Sequence, residues 1–248
     1  MDKGYSIPYG APIYGKPPYY MTDARMVRVS YEIDPAAAQA ALPPELELVG
    51  NTAMAFVGEM TQLPYIGKFH EGGITLRVRH GETEGLIAVS LFTSTDASLL
   101  VGREVYGMTK LLCDDTPLYW AGNEICGNLQ RMGEQLFSIK LNVESVTPPA
   151  ELVGSPTVKF MSTPRLGVRI LPDPSLETTA VHEVVRAELY DTVLSEMYEG
   201  TASIRFGAPA FSNIASLAPI NDKPLRGAYV RGTWALGKGE ILGRFVHP

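Results

Sequence analysis

The sequence lacks most of the features that would place it quickly. It has only two cysteines in 248 residues. Cys113 and Cys126 form neither a disulfide framework nor a C-x-x-C redox or zinc pattern. Two reduced thiols suit a cytoplasmic chain. No apolar run approaches the ~20 residues that a membrane-spanning helix needs. The opening Met1-Asp2-Lys3-Gly4-Tyr5 is not a basic region followed by an apolar one, so no signal peptide is expected. A basic excess is missing as well. With 27 acidic and 21 basic residues the net charge is −6. That leaves no electrostatic footprint for nucleic acid or for an anionic membrane surface. Within the basic set lysine is scarce, 8 against 13 arginines.

The composition is 45% apolar and 19% charged, which excludes a disordered chain. The length is enough to bury a sizeable core. No linker divides it, so a single domain over 1–248 is expected, with 1–20 as an irregular N-terminal arm rich in Tyr, Pro and Gly. The 24 glycines and 19 prolines are scattered along the whole chain, as in many strands joined by tight turns. Met26–Ile33 alternates apolar and polar residues and reads as a half-buried strand. Asp34-Pro35 then caps a helix over Ala36–Ala41, stopped by Pro43-Pro44. Further strands are expected at Ala53–Gln62, Ile74–His80, Leu86–Thr93, Leu118–Cys126, Gln135–Val146, Val158–Leu171, Thr178–Leu189, Thr201–Phe206 and Ala228–Leu242. Short helices are expected near Ala97–Val101 and Pro209–Leu217. The result is a mostly β (α+β) chain with a few short helices. Without a βαβ alternation, a doubly wound nucleotide-binding fold is excluded.

Several motifs fail on spacing. In Gly237-Lys238-Gly239-Glu240-Ile241-Leu242-Gly243 the third glycine is one residue late for a dinucleotide fingerprint, and too little chain follows it. His182-Glu183 lacks the second histidine of a zinc helix, and His70, His80, His182 and His247 are scattered, so no metal is expected. No G-x-S-x-G elbow occurs. One lysine stands out. Lys140 lies on a polar strand face with Ser138 and Asn142, but Lys110 has largely apolar neighbours in Gly102-Arg103-Glu104-Val105-Tyr106-Gly107-Met108-Thr109-Lys110-Leu111-Leu112-Cys113. Two readings stand on this segment alone. Either the alkyl stem covers apolar surface while the amine reaches water, or the amine is buried for chemistry.

The segment resembles the active-site lysine stretch of the acetoacetate decarboxylase superfamily. There Gly-Arg-Glu precedes a turn, an aromatic, a proline and two consecutive lysines. Other stretches resemble the family in the same order. They are Tyr31–Asp34 with Leu42-Pro43-Pro44-Glu45-Leu46, His70-Glu71-Gly72, and Ala218-Pro219-Ile220-Asn221-Asp222-Lys223-Pro224-Leu225. The resemblance runs from about Tyr19 to the C-terminus. It implies a closed antiparallel β-cone or barrel, a homo-oligomer, a small keto-acid substrate and no cofactor. It also implies Lys110 as the Schiff-base nucleophile and Glu71 as its acid/base partner. This chain departs from the pattern in three places. Leu111 replaces the second lysine, Thr109 replaces the proline, and Ala24 falls where the family's substrate-binding arginine lies, with Arg25 one residue away.

A lysine must be neutral to attack a ketone. At its ordinary pKa of about 10.4 the neutral fraction at pH 7 is only about 0.04%, and burial raises it. With no second cation at position 111, Lys110 is expected to depend on desolvation by Met108, Leu111 and Leu112. Arg103 and Glu104 are expected to pair and hold the lysine loop. Arg25, Tyr106 and Met108 are the expected substrate contacts. The iminium formed by Lys110 withdraws electrons from an adjacent bond. Loss of CO₂ from a β-keto acid is decarboxylation. Loss of a proton from a pyruvate-like methyl leads instead to aldol addition to an aldehyde and dehydration. The third alternative is a non-catalytic β-barrel that binds an apolar ligand.

Overall fold

The computed structural model describes residues 10–114, 117–210, 212, 214–221 and 223–245. β1 (Tyr19–Glu32) leads into α1 (Pro35–Ala40), where the Asp34 carboxylate accepts the Ala36 amide and Pro35 occupies the first turn. β2 (Glu47–Leu63), β3 (Gly67–His80) and β4 (Thr83–Thr93) form a meander. α2 (Asp96–Tyr106) is capped by Thr95 and ends at Gly107, whose φ of 66° is one that glycine adopts freely. β5 (Lys110–Leu112), β6 (Leu118–Ala121), β7 (Glu124–Arg131) and β8 (Glu134–Val146) follow. Then come α3 (Pro149–Leu152), α4 (Pro156–Met161), β9 (Arg165–Pro172), β10 (Thr179–Phe206), a 3₁₀ turn at Ile214–Leu217 and β11 (Leu225–Arg244). No helix among the described residues is long and apolar enough to cross a membrane.

All eleven strands belong to one sheet. Its pairing runs β11-β1-β2-β3-β4-β9-β10 and returns to β11, while β10 also continues into β8, β7 and β6. The class is the expected mostly β one with short helices. The pairing is not wholly antiparallel, however. β4 pairs in parallel with β5 and, through the single bridge Leu86↔Arg165, with β9. Residues of β1 alternate between two buried regions, as the period of two in a strand requires. Val27 and Val29 join a core with Ile125, Phe137 and Leu141 of β7 and β8. Ala24 and Met26 pack instead with Phe56, Leu91 and Val101. The second region surrounds the cavity described below.

Several expected boundaries move for local reasons. Val158–Leu171 is not one strand, because Ser155 caps α4 with Pro156 in its first turn and β9 begins only at Arg165. Leu118–Cys126 is the hairpin of β6 and β7, turning at Gly122 with φ 64°. The segments at 178–189 and 201–206 are one 28-residue strand, β10, kept in register with β11 by several bulges. The helix at 97–101 extends to Tyr106, whereas the one at 209–217 shrinks to the 3₁₀ turn. The first nine residues of the arm lie outside the described residues. Beyond them Tyr14 is buried, and β1 already starts at Tyr19.

Candidate active site

Lys110 starts β5 with its side chain inward and is 6% exposed. Its stem lies along α2. A Cβ added to Gly102 would stand 2.6 Å from the lysine Cδ, so glycine leaves room for that stem. Ser98 is one helical turn earlier and faces the same way. Its Oγ accepts a hydrogen bond from Lys110 Nζ at 2.8 Å. Nζ also lies 2.5 Å from a carboxylate oxygen of Glu71, in an ion pair without hydrogen-bond geometry. The Phe69 ring centroid is 5.5 Å from Nζ. Strand alternation sends Phe69 and Glu71 to this face of β3 and His70 to the other, where it meets Glu59.

These groups open into a cavity whose empty space, with the open solvent at its mouth included, is about 1080 Å³. Six of the nine methionines line it, among them Met21, Met60 and Met108, together with Phe56, Phe160 and Trp234. Four charged residues face it: Lys110, Glu71, Arg28 and Arg165. Arg28 donates to Thr157 Oγ1 at 2.9 Å and lies over the Phe160 ring. Arg165 donates to the Thr163 carbonyl at 2.5 Å. Burial lowers both arginines from their usual value, Arg165 to about 10, while Glu199 opposes the shift at Arg28 and Glu71 opposes it at Arg165. Arginine side chains keep their proton at neutral pH, so both are cations.

The expected site residues separate into those that reach the cavity and those that do not. Lys110, Glu71, Met108 and the ring of Tyr106 line it. The Tyr106 hydroxyl is already donated to the Gly237 carbonyl at 2.8 Å and is not free for a substrate. Arg25 does not line the cavity. It lies on the opposite face of β1 from Met26 and Arg28 and pairs with Asp23 at the surface. Arg103 and Glu104 do not pair with each other. Arg103 donates to the Lys110 carbonyl at 3.1 Å, and Glu104 accepts the hydroxyl of Tyr14 from the arm. Leu111 and Leu112 are 43% and 44% exposed, so neither desolvates the amine. That part is played by Phe69, Val101, Gly102 and the rest of the wall.

Sequence reasoning missed Ser98, Arg28, Arg165 and Gln62. Only Ser98 carried a readable signal, its four-residue spacing from Gly102 on one helix. Among the described residues no three His, Cys, Asp or Glu side chains gather as a metal site.

A family model described as acetoacetate decarboxylase (ADC) matches residues 6–245. The chain is 23% identical to an acetoacetate decarboxylase of Acidiphilium cryptum, over 99% of this chain and 97% of that one. Among solved structures it is similar to acetoacetate decarboxylase from Legionella pneumophila, with a TM-score of 0.85 and 21% identity, covering 98% and 95% of the two chains. It is also similar to the enduracididine biosynthesis enzyme MppR complexed with pyruvate. There the TM-score is 0.77 and the identity 19%, with 97% of each chain covered.

Proposed function

Since the chain belongs to the acetoacetate decarboxylase family, we propose that it is a lyase joining Lys110 to an oxo acid as a Schiff base, and that its reaction is decarboxylation of a β-keto acid. One observation carries the reading: a buried Lys110 Nζ set between Glu71 and Ser98 at the wall of an apolar cavity. A buried ammonium is costly unless paired, and Glu71 is its pair. Transfer of one proton from Nζ to Glu71 leaves a neutral amine beside a neutral acid. In an apolar cavity that exchange removes two charges at once.

The steps follow from the placement. The neutral amine attacks the ketone carbon and one of its protons passes to the oxygen; Glu71 supplies the second, and the oxygen leaves as water. The iminium then takes the electron pair of the C–C bond to the carboxylate, and CO₂ leaves. Glu71, left as the carboxylate, takes a proton from solvent and delivers it to the enamine carbon. Water hydrolyses the new iminium, releasing the ketone and Lys110. Ser98 holds Nζ towards the cavity. Its hydroxyl also accepts from the amine, which orients the lone pair for attack.

Aldol condensation and dehydration from pyruvate is a second reading, favoured by Arg28 and Arg165. A reaction that keeps its carboxylate profits from fixed cations. The likeness to MppR, seen with pyruvate, points the same way.

The test is borohydride trapping with keto acids, read by intact mass and peptide mapping. An adduct on Lys110 that disappears in Lys110→Ala is expected. CO₂ from a β-keto acid identifies the lyase, whereas an enone from pyruvate and an aldehyde identifies the condensation. Trapping that persists in Lys110→Ala removes the lysine from its role.

A further inference from the structure

The cavity is polarised along β2. On the face that lines it, β2 presents Met54, Phe56, Gly58, Met60 and Gln62 in turn. Strand pairing gives each residue of the wall a level on this scale. Arg28 is at the level of Phe56, Glu71 at that of Gly58, and Phe69 at that of Met60. Arg165, bridged to Leu86, lies beyond Phe56 on the Ala53 side. Lys110 Nζ, held against Glu71 and Phe69, therefore sits between two unlike ends. One end carries both arginines, and neither forms an ion pair among the described residues. The other end carries no charge. There Met21 pairs in register with both Gln62 and Trp234.

Gln62 is the odd member of the uncharged end. It is 2% exposed, and its side-chain nitrogen has no hydrogen-bond partner. An unmet donor of this kind costs about 1–3 kcal/mol, so the fold alone does not account for it. Gln62 lies four residues beyond the level of Glu71 and two beyond that of Phe69, about 13 Å and about 7 Å along the strand. The methyl group of acetoacetate cannot cover either distance.

Resting on the Schiff-base reading above, we infer that the substrate is an elongated oxo acid. Its carboxylate faces Arg28 and Arg165 and its ketone meets Lys110. Its apolar tail lies against Met60, Met21 and Trp234 and carries a hydrogen-bond acceptor for Gln62. Methionines suit such a tail, because their flexible thioethers repack around apolar guests. The tail also displaces water from the side of the iminium opposite the arginines, which keeps the reacting carbon dry.

The test is a series of 3-oxo acids with tails from methyl to heptyl, followed by isosteres in which an ether oxygen replaces successive tail methylenes. The readouts are kcat/KM for CO₂ release and the borohydride adduct on Lys110. Each added methylene is expected to raise kcat/KM about fourfold, the equivalent of about 0.8 kcal/mol, until the tail reaches Gln62. One ether position is expected to beat its all-carbon isostere by about tenfold. Gln62→Met should erase that advantage and keep the dependence on tail length. Arg28→Ala should raise KM for every member without altering the tail dependence. Adducts formed equally well at every tail length overturn the inference and leave the Schiff base standing. An ether advantage that survives in Gln62→Met removes the role of Gln62. No adduct on Lys110 with any member overturns the Schiff-base reading and this inference together.

Discussion

Gly102→Ala separates the fold from the chemistry. Gly102 lies inside α2, where alanine is favoured over glycine by about 1 kcal/mol. By that measure alone the variant would unfold about 2–4 °C higher. Its new methyl, however, would stand 2.6 Å from Cδ, 2.9 Å from Cε and 3.2 Å from Cγ of Lys110. Carbon atoms prefer separations of about 3.5–4.0 Å, so the lysine stem must retreat by about 1 Å. The stem is a flexible side chain and can give way at small cost to stability. Nζ then leaves its seat between Ser98 and Glu71. A misplacement of about 1 Å costs on the order of 100-fold in rate. The variant should therefore trap a keto acid on Lys110 about 100-fold more slowly while its unfolding midpoint stays level or rises. Stopped trapping with borohydride, read by intact mass, gives the rate, and a thermal melt gives the midpoint. Trapping within about threefold of the parent would refute the placement of the stem against α2.

Three further outcomes test separate parts of the molecule. Leu111→Lys restores a second lysine in sequence, but its side chain will stand in solvent, so the trapping rate should change by less than about twofold; a tenfold rise would show that a cation there matters. Arg25→Ala removes a surface partner of Asp23 on the face away from the cavity, and KM for any oxo acid should be unaltered; a rise in KM would return Arg25 to the site. Glu183 is pushed up by burial, but hydrogen bonds from Arg244 and Arg169 outweigh this and hold it below its ordinary 4.5. Its stabilising share is thus complete above pH 4.5 and lost as pH falls through the lower folded value. The melting temperature of Glu183→Gln should accordingly depend less steeply on pH below 4.5, and an unchanged slope would remove Glu183 from the acid sensitivity.

How far the sequence could be read depended on how many faces of a strand are buried. Met26–Ile33 alternates so cleanly that its polar set, including Arg28, reads as solvent-facing. The strand is in fact covered on both sides, by β7 and β8 over Val27 and Val29 and by the cavity wall over Met26 and Arg28. Alternation told the two faces apart but could not tell water from a cavity. The same alternation rules on the displaced arginine. Ala24 shares the cavity face, so a one-residue shift to Arg25 crosses the strand, whereas Arg28 returns to the correct side. Glu71 was legible through the resemblance of His70-Glu71-Gly72 to the family's stretch; the glycines beside it serve the close approach of strands, since an added Cβ on Gly73 would meet the Ser90 carbonyl at 2.2 Å. Arg165 was not legible, because it was read as the middle of a strand that the cap at Ser155 divides.

Position 111 shows why a neighbour in sequence need not be a neighbour in the site. β5 is only three residues long, and its first side chain points inward while the next is exposed. A lysine at 111 would keep its hydration and act on Nζ only through solvent, where unit charges interact weakly. The groups that govern the amine come instead from α2 and β3, brought together by a helix that ends at Gly107 and a strand that pairs with β4. Replacing the second lysine by leucine therefore leaves the seat of Nζ intact. Ala24, on which the resemblance places the family's arginine, is a different matter, since it is buried on the same face of β1 as Met26 and Arg28. On the substrate reading proposed above, Arg28 and Arg165 hold the anion at one end of the chamber, and the opposite end is then available to a longer substrate.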